Sequence, residues 1–191
     1  QAHLAGTCRA IHYGFHDGGA LRIIQTNNAV FDLGKVCIHP PRMCSAMYSL
    51  MCDLNGKRPA DVERFDTMMT VLYEQYYRNA TRFIACKYTR CRPMNDAVLF
   101  TVGLKWGGQL TDVDLSGCID ITVDGLEMFI KQCPRLKQIN LGGCYYEGSN
   151  YSNVISALNG LPDLTSVDFD GIMGVGDLLP EFASMHPKLR V

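Results

Sequence analysis

From residue 110 onward, apolar residues recur in one fixed phase. Leu110-x-x-Val113-x-Leu115-x-x-Cys118 is followed by Leu136-x-x-Ile139-x-Leu141-x-x-Cys144, then by Leu164-x-x-Val167-x-Phe169-x-x-Ile172. The opening leucines, Leu110, Leu136 and Leu164, are almost evenly spaced. Self-similarity at such a period marks a repeat architecture. Numbered from each leucine as the first place, the fourth and sixth places alternate along a short strand and face the same side. The ninth place ends the strand with a small apolar residue. Stepping back from Leu110 by the mean of the two spacings gives a degenerate copy, Phe83-x-x-Cys86-x-Tyr88-x-x-Cys91. At the far end, Leu189-x-Val191 has the phase of a strand just opening. An unpaired edge there is one that another chain could cover.

A helix is expected after each strand: Asn95 to Leu104, Thr122 to Gln132, Ser152 to Leu158 and Asp177 to Met185. The first residue of each segment is a candidate N-cap, since its side-chain oxygen can accept from a backbone N–H of the first turn. Val123, Leu126, Phe129 and Ile130 have the spacing of one buried helical stripe, as do Val154, Ile155 and Leu158. Pro134, Pro162 and Pro187 each stand two places before a first-place leucine and stop each helix at nearly the same phase. Upstream, Val62, Phe65, Met69, Leu72 and Tyr76 predict an amphipathic helix over residues 61–78. Arg42 to Leu54 predicts another, with Met43, Met47, Leu50 and Met51 as its apolar face. These helices are expected to cap the first repeat, because a terminal repeat leaves its apolar side open, or alternatively to form a docking element for a larger assembly. Residues before 40 show no usable period and are expected to lie extended, across a partner.

The stretch Cys118-Ile119-Asp120-Ile121-Thr122-Val123-Asp124-Gly125-Leu126, with Cys133-Pro134-Arg135-Leu136, resembles the cysteine-containing subtype of leucine-rich repeats. The Asp falls one place late against that subtype's Ile-Thr-Asp. The resemblance covers residues 80–191. It implies an α/β fold: a short solenoid of about four repeats, parallel strands on the concave face and helices on the convex face. Residues 1–78 would form an N-terminal extension and helical cap, and residues 79–191 the repeat domain.

The chain has 191 residues, a formal net charge of −1 and 19% charged residues. It therefore lacks the overall positive field of a nucleic-acid binder. A hydrophobic content of 47% fits a folded chain, and no run reaches the ~18 apolar residues of a membrane span. The nine cysteines do not form a disulfide framework by spacing. Cys91, Cys118 and Cys144 share the ninth place and are expected as packed thiols, which implies a reducing compartment. His12 and His16, and the group Cys37, His39, Cys44 and Cys52, match no zinc pattern. No metal or other cofactor is expected. Asn79-Ala80-Thr81 and Asn150-Tyr151-Ser152 fit glycosylation sequons but are read as accidental in a chain of reduced thiols. Gly171-x-x-Gly174-x-Gly176 is a turn, not a phosphate loop, and no nucleophile elbow occurs. The chain is accordingly expected to be non-catalytic, with no small-molecule substrate.

The candidate site is the outward face of the strands. Its fifth-place column reads Lys87, Asp114, Asn140, Asp168, and its third-place column Ala85, Asp112, Gln138, Ser166. The seventh place adds Thr89, Ser116, Gly142 and Asp170, and Lys137 interrupts the acidic character. This face is expected to bind a basic or polar protein segment. Asp114→Lys with Asp168→Lys is expected to abolish that association while leaving the fold intact. Two groups carry this repeat type. F-box receptors of ubiquitin ligases are one, although neither an F-box entry motif nor its ending is found in the first eighty residues. The other is a short mitochondrial group, that of ATP synthase subunit s and the complex I distal membrane arm assembly factor. Phe83 to Asp124, together with Phe169-Asp170-Gly171-Ile172-Met173-Gly174-Val175 and Pro187-Lys188-Leu189-Arg190-Val191, resembles the second. That resemblance implies an accessory or assembly subunit on the matrix side of the mitochondrial inner membrane, bound to protein subunits of a respiratory or ATP synthase complex. The start at Gln1 is expected from removal of a presequence. The F-box alternative implies the cytoplasm.

Overall fold

A computed structural model describes residues 29–32, 59–85, 94–144 and 151–189. Within them the chain is α/β. Five strands, β1 (Val30–Asp32), β2 (Arg82–Ile84), β3 (Asp112–Asp114), β4 (Gln138–Asn140) and β5 (Ser166–Asp168), form one sheet in chain order. Every neighbouring pair is parallel. The helices are α1 (Pro59–Leu72), α2 (Asp96–Trp106), α3 (Val123–Gln132), α4 (Ser152–Asn159) and α5 (Leu179–Met185). A π-helical turn, Tyr73–Tyr77, extends α1, and a 3-10 turn, Gly107–Gln109, follows α2. Parallel neighbours require a crossover, and α2, α3 and α4 supply three of them.

Such short strands make few ladder bonds, so pairing continues beyond both ends. At the second place, the N–H groups of Thr111, Lys137 and Thr165 donate to the carbonyls of Thr81, Thr111 and Lys137. At the sixth place, Ala85, Leu115 and Leu141 donate to Asp114, Asn140 and Asp168. At the eighth, Gly117 donates to Gly142, and Gly143 to Asp170. Gly117, Gly143 and Gly171 have φ of 73°, 70° and 71°, so the strand exit needs glycine at that place. The ninth-place N–H then closes the turn: Cys118 onto Leu115, Cys144 onto Leu141 and Ile172 onto Phe169, each at 3.0 Å.

The sheet register corrects one sequence expectation. Phe83 pairs with Val113, so it stands at the fourth place and not the first. The preceding copy opens at Ala80 instead. Ala80 and Ala85, both buried, occupy its first and sixth places. The error of three places is odd, so it exchanged inward and outward positions. Ala85 therefore faces the core and is not part of the outward column. The cause is visible in the sequence: alanines stand where the later copies have leucines. The bulk at this junction includes Trp106, whose indole N–H donates to the Tyr77 carbonyl at 2.8 Å. Its ring meets Tyr73 edge-on, with centroids 5.3 Å apart.

Within residues 1–78, Val30–Asp32 forms the edge strand of the sheet beside β2. The predicted stripe of α1 is buried at Phe65, Met69 and Leu72. Lys105 ties α1 to α2 through Asp66 at 3.0 Å and the Thr70 hydroxyl at 2.7 Å. The predicted helix over Arg42 to Leu54 lies outside the described residues, as do Cys86, Tyr88 and Cys91 of the degenerate copy.

Two predicted caps hold and two do not. Asn95 Oδ1 accepts from Val98 N at 3.1 Å, and Thr122 Oγ1 from Gly125 N at 3.0 Å. The caps are also linked between helices. Asp96 accepts from both the N–H and the hydroxyl of Thr122 at 2.7 Å. By contrast, α4 starts after Tyr151 and α5 after Leu178, neither with a side-chain cap. Pro180 opens α5 instead, preset to helical φ. Past each predicted proline stop, the first-place N–H returns to the carbonyl three places earlier: Leu136 to Cys133, Leu164 to Leu161 and Leu189 to His186.

Candidate interaction face

Alternation along the strands divides the sheet cleanly. Phe83, Val113, Ile139 and Val167 are at most 3% exposed and face the helices. The third and fifth places project from the opposite side. The third-place row is Val30, Arg82, Asp112, Gln138 and Ser166; the fifth-place row is Asp32, Ile84, Asp114, Asn140 and Asp168. The expected residues Asp112, Asp114, Asn140 and Asp168 are thus brought together. Asp170, exposed, follows at the seventh place, and Lys137, exposed, stands at the second. Lys87 lies outside the described residues, and the fifth place assigned to it is filled by Ile84. Val30, Asp32, Arg82 and Ile84 were missed. The signal for Asp32 was present: Phe31-Asp32-Leu33 repeats the pattern of Val113-Asp114-Leu115 and Val167-Asp168-Phe169.

The fifth-place side chains have structural work. Asp114 Oδ1 accepts from Ser116 N at 3.1 Å and from Ser116 Oγ at 2.7 Å. Asn140 Oδ1 accepts from Gly142 N, and Asp168 Oδ1 from Asp170 N, both at 2.9 Å. These are Asx turns: a short side-chain acceptor holds the N–H two places on, where the backbone leaves the strand. Lysine at Asp114 or Asp168 would remove an acceptor as well as a charge. Those substitutions therefore test the turn and the face together. Asp112 accepts locally only from the Thr111 hydroxyl, at 2.6 Å, and Asp170 lies beyond the turn. They are the better probes of binding.

The thiols also do more than fill space. Cys144 Sγ donates to the Leu115 carbonyl of the preceding strand at 3.1 Å. Cys118, Cys133 and Cys144 are buried and unbridged. Burial pushes the Cys133 thiol up to about 12, and likewise the phenols of Tyr77 and Tyr151 to about 12. For Tyr77 the nearby Asp32 carboxylate adds to the effect, and for Tyr151 Cys144 does. All three groups stay neutral at physiological pH, so the core beneath the face carries no charge from them.

Among the described residues no cluster of three His, Cys, Asp or Glu side chains is placed to hold a metal ion. His12, His16, Cys37, His39, Cys44 and Cys52 lie outside those residues. Among the described residues no helix is long and apolar enough to cross a membrane. An open cavity of about 400 Å³, lined by Gln138, Thr165, Ser166 and Lys188, lies at the β4–β5 end of the sheet. The expected strand at Leu189 is described only at its first residue, where the entry turn has formed. The face thus offers carboxylates, amides and hydroxyls at regular spacing, a set suited to hydrogen bonds and ion pairs with another chain. No protein-family model and no curated protein matches the sequence.

Proposed function

We propose that the chain is a non-catalytic protein–protein interaction module, a short leucine-rich-repeat solenoid that binds a polar or basic protein segment over its outward strand face. The observation that carries this reading is the recurrence, at the same places, of strand, Asx turn, left-handed glycine and ninth-place closure in successive copies. Such repetition makes an extended surface of regular composition, which suits recognition of another chain. On the resemblance given above, the partner is a subunit of a respiratory or ATP synthase complex. The chain is then an accessory or assembly subunit on the matrix side of the mitochondrial inner membrane.

Affinity purification of the tagged chain, with cross-linking and mass spectrometry, tests this. Inner-membrane complex subunits are expected, with cross-links from Lys137 or Lys188, and the combination Asp112→Lys/Asp170→Lys is expected to lose them. Recovery of a ubiquitin-ligase adaptor in their place would overturn the mitochondrial assignment. Unchanged recovery by the double variant would overturn the role of the face.

A further inference from the structure

The two halves of the sheet face differ in chemistry, and the difference specifies a partner. Over β3 to β5 the outward places hold four carboxylates, Asp112, Asp114, Asp168 and Asp170, among neutral amides and hydroxyls. Over β1 and β2 the character changes. Asp32 and Arg82 offset each other in charge, and the other two places are apolar, Val30 and Ile84, both half-buried. Ile84 is the single apolar residue in a fifth-place row otherwise made of Asp and Asn. The Asx turns of β3, β4 and β5 use an acid or amide at this place, whereas isoleucine cannot accept such a bond. Its side chain instead joins Val30 in offering apolar surface beside the polar half of the face.

Building on the interaction role argued above, we infer that the face takes an extended protein segment laid across the strands with a fixed polarity. Its apolar end sits over Val30 and Ile84, and its lysine- or arginine-bearing end over the carboxylates of β3 to β5. Strands about 4.8 Å apart put β1 and β5 roughly 19 Å from each other. An extended chain covers that span with about six residues. Charge complementarity favours the basic end over β3 to β5, where the four carboxylates outnumber the nearby cations Lys137 and Lys188. The apolar end gains by removing Ile84 and Val30 from water, which a uniformly basic segment does not achieve. Polarity gives the face selectivity in addition to attraction.

Two synthetic peptides of one composition test this: Val-Thr-Ile-Gly-Lys-Arg-Lys, with its apolar and basic residues in blocks, and Lys-Val-Arg-Gly-Thr-Lys-Ile, with them mixed. Binding to the full chain is measured by calorimetry at physiological salt. The block peptide is expected to bind about tenfold more tightly than the mixed one. Ile84→Thr is expected to erase that ratio, and Asp112→Asn/Asp170→Asn to weaken both peptides, with circular dichroism melts confirming the fold of each variant. Equal affinity of the two peptides, or a ratio unchanged by Ile84→Thr, overturns the polarity while leaving the interaction reading in place. Absence of binding by both peptides at about 1 mM overturns the polarity and the basic-segment reading together.

Discussion

The β3–β5 region and the β1–β2 region build the same parallel sheet from different sequence material. In the first, each copy spells out its parts: leucine at the first place, Asx at the fifth, glycine at the eighth, Cys or Ile at the ninth. In the second, Ala80 and Ala85 replace leucines, and Trp106 and Tyr77 form the hydrogen-bonded aromatic junction beside α1. The paired residues Phe31, Phe83 and Val113 also stand further apart along the chain than Val113, Ile139 and Val167 do. Yet the ladder continues through both, with Thr81 and Arg82 donating to Ala29 as Lys137 and Gln138 donate to Thr111. The lesson is that backbone pairing sets the repeat, and side chains need only fill the volume behind it.

The strongest test removes the bulk on each side. Trp106→Ala is expected to cost about 3–5 kcal/mol, since a fully buried indole and its bond to Tyr77 are lost together. Leu136→Ala is expected to cost about 2–5 kcal/mol in the regular region. Urea denaturation measures both. Single coincident transitions by fluorescence and circular dichroism would show that the two regions unfold as one unit, and separated transitions would divide them.

A pH titration comes next and isolates the regular region's core. The Cys133 thiol is raised from 9.0 to about 12 by burial. The folded state therefore resists forming the thiolate that the unfolded chain forms readily above pH 9. Stability is fully present below that value and falls as pH rises toward 12, by about 1.4 kcal/mol per unit. Cys133→Ala should flatten this slope in denaturation curves recorded from pH 8 to 11, apart from the contribution of Tyr77 and Tyr151.

Valine at Gly143 probes the strand exit at smaller cost. Its φ of 70° is hostile to a β-branched residue, and about 1–3 kcal/mol of stability should be lost. Thermal melts would detect this, and an unchanged midpoint would mean that the exit relaxes freely. Smallest of all is the contrast on the outward face. Asp168→Ala should cost about 1 kcal/mol, because Asp170 N loses its acceptor. Asp170→Ala, exposed and beyond that turn, should stay within about 0.5 kcal/mol. Equal costs would remove the structural role given to the fifth place.

The outcome for individual residues shows where sequence reading stops. Strands β3, β4 and β5 and the caps Asn95 and Thr122 were legible because each follows a local rule of alternation or of side-chain acceptance. Ser152 and Asp177 do not cap α4 and α5, because the N-cap positions fall at Tyr151 and Leu178, neither with a side-chain cap bond. Most of the acidic face was legible, since alternation alone sends Asp112, Asp114 and Asp168 to one side. That Asp114 and Asp168 also hold turns was not, because an Asx turn is a matter of backbone direction after the strand.

By itself, then, the sequence determined the period, the inward and outward sets of the regular copies, and the ninth-place cysteines. Those follow from alternation along a strand and the pitch of a helix, which short-range geometry enforces. Only the tertiary structure decided that Val30–Asp32 belongs to the sheet, that Phe83 pairs with Val113, and that Ile84 holds the fifth place beside Asp114. The physical reason is distance along the chain. Pairing of Phe31 with Phe83, and of Phe83 with Val113, is chosen by a shared hydrogen-bond ladder between distant segments, and no local pattern of side chains encodes either.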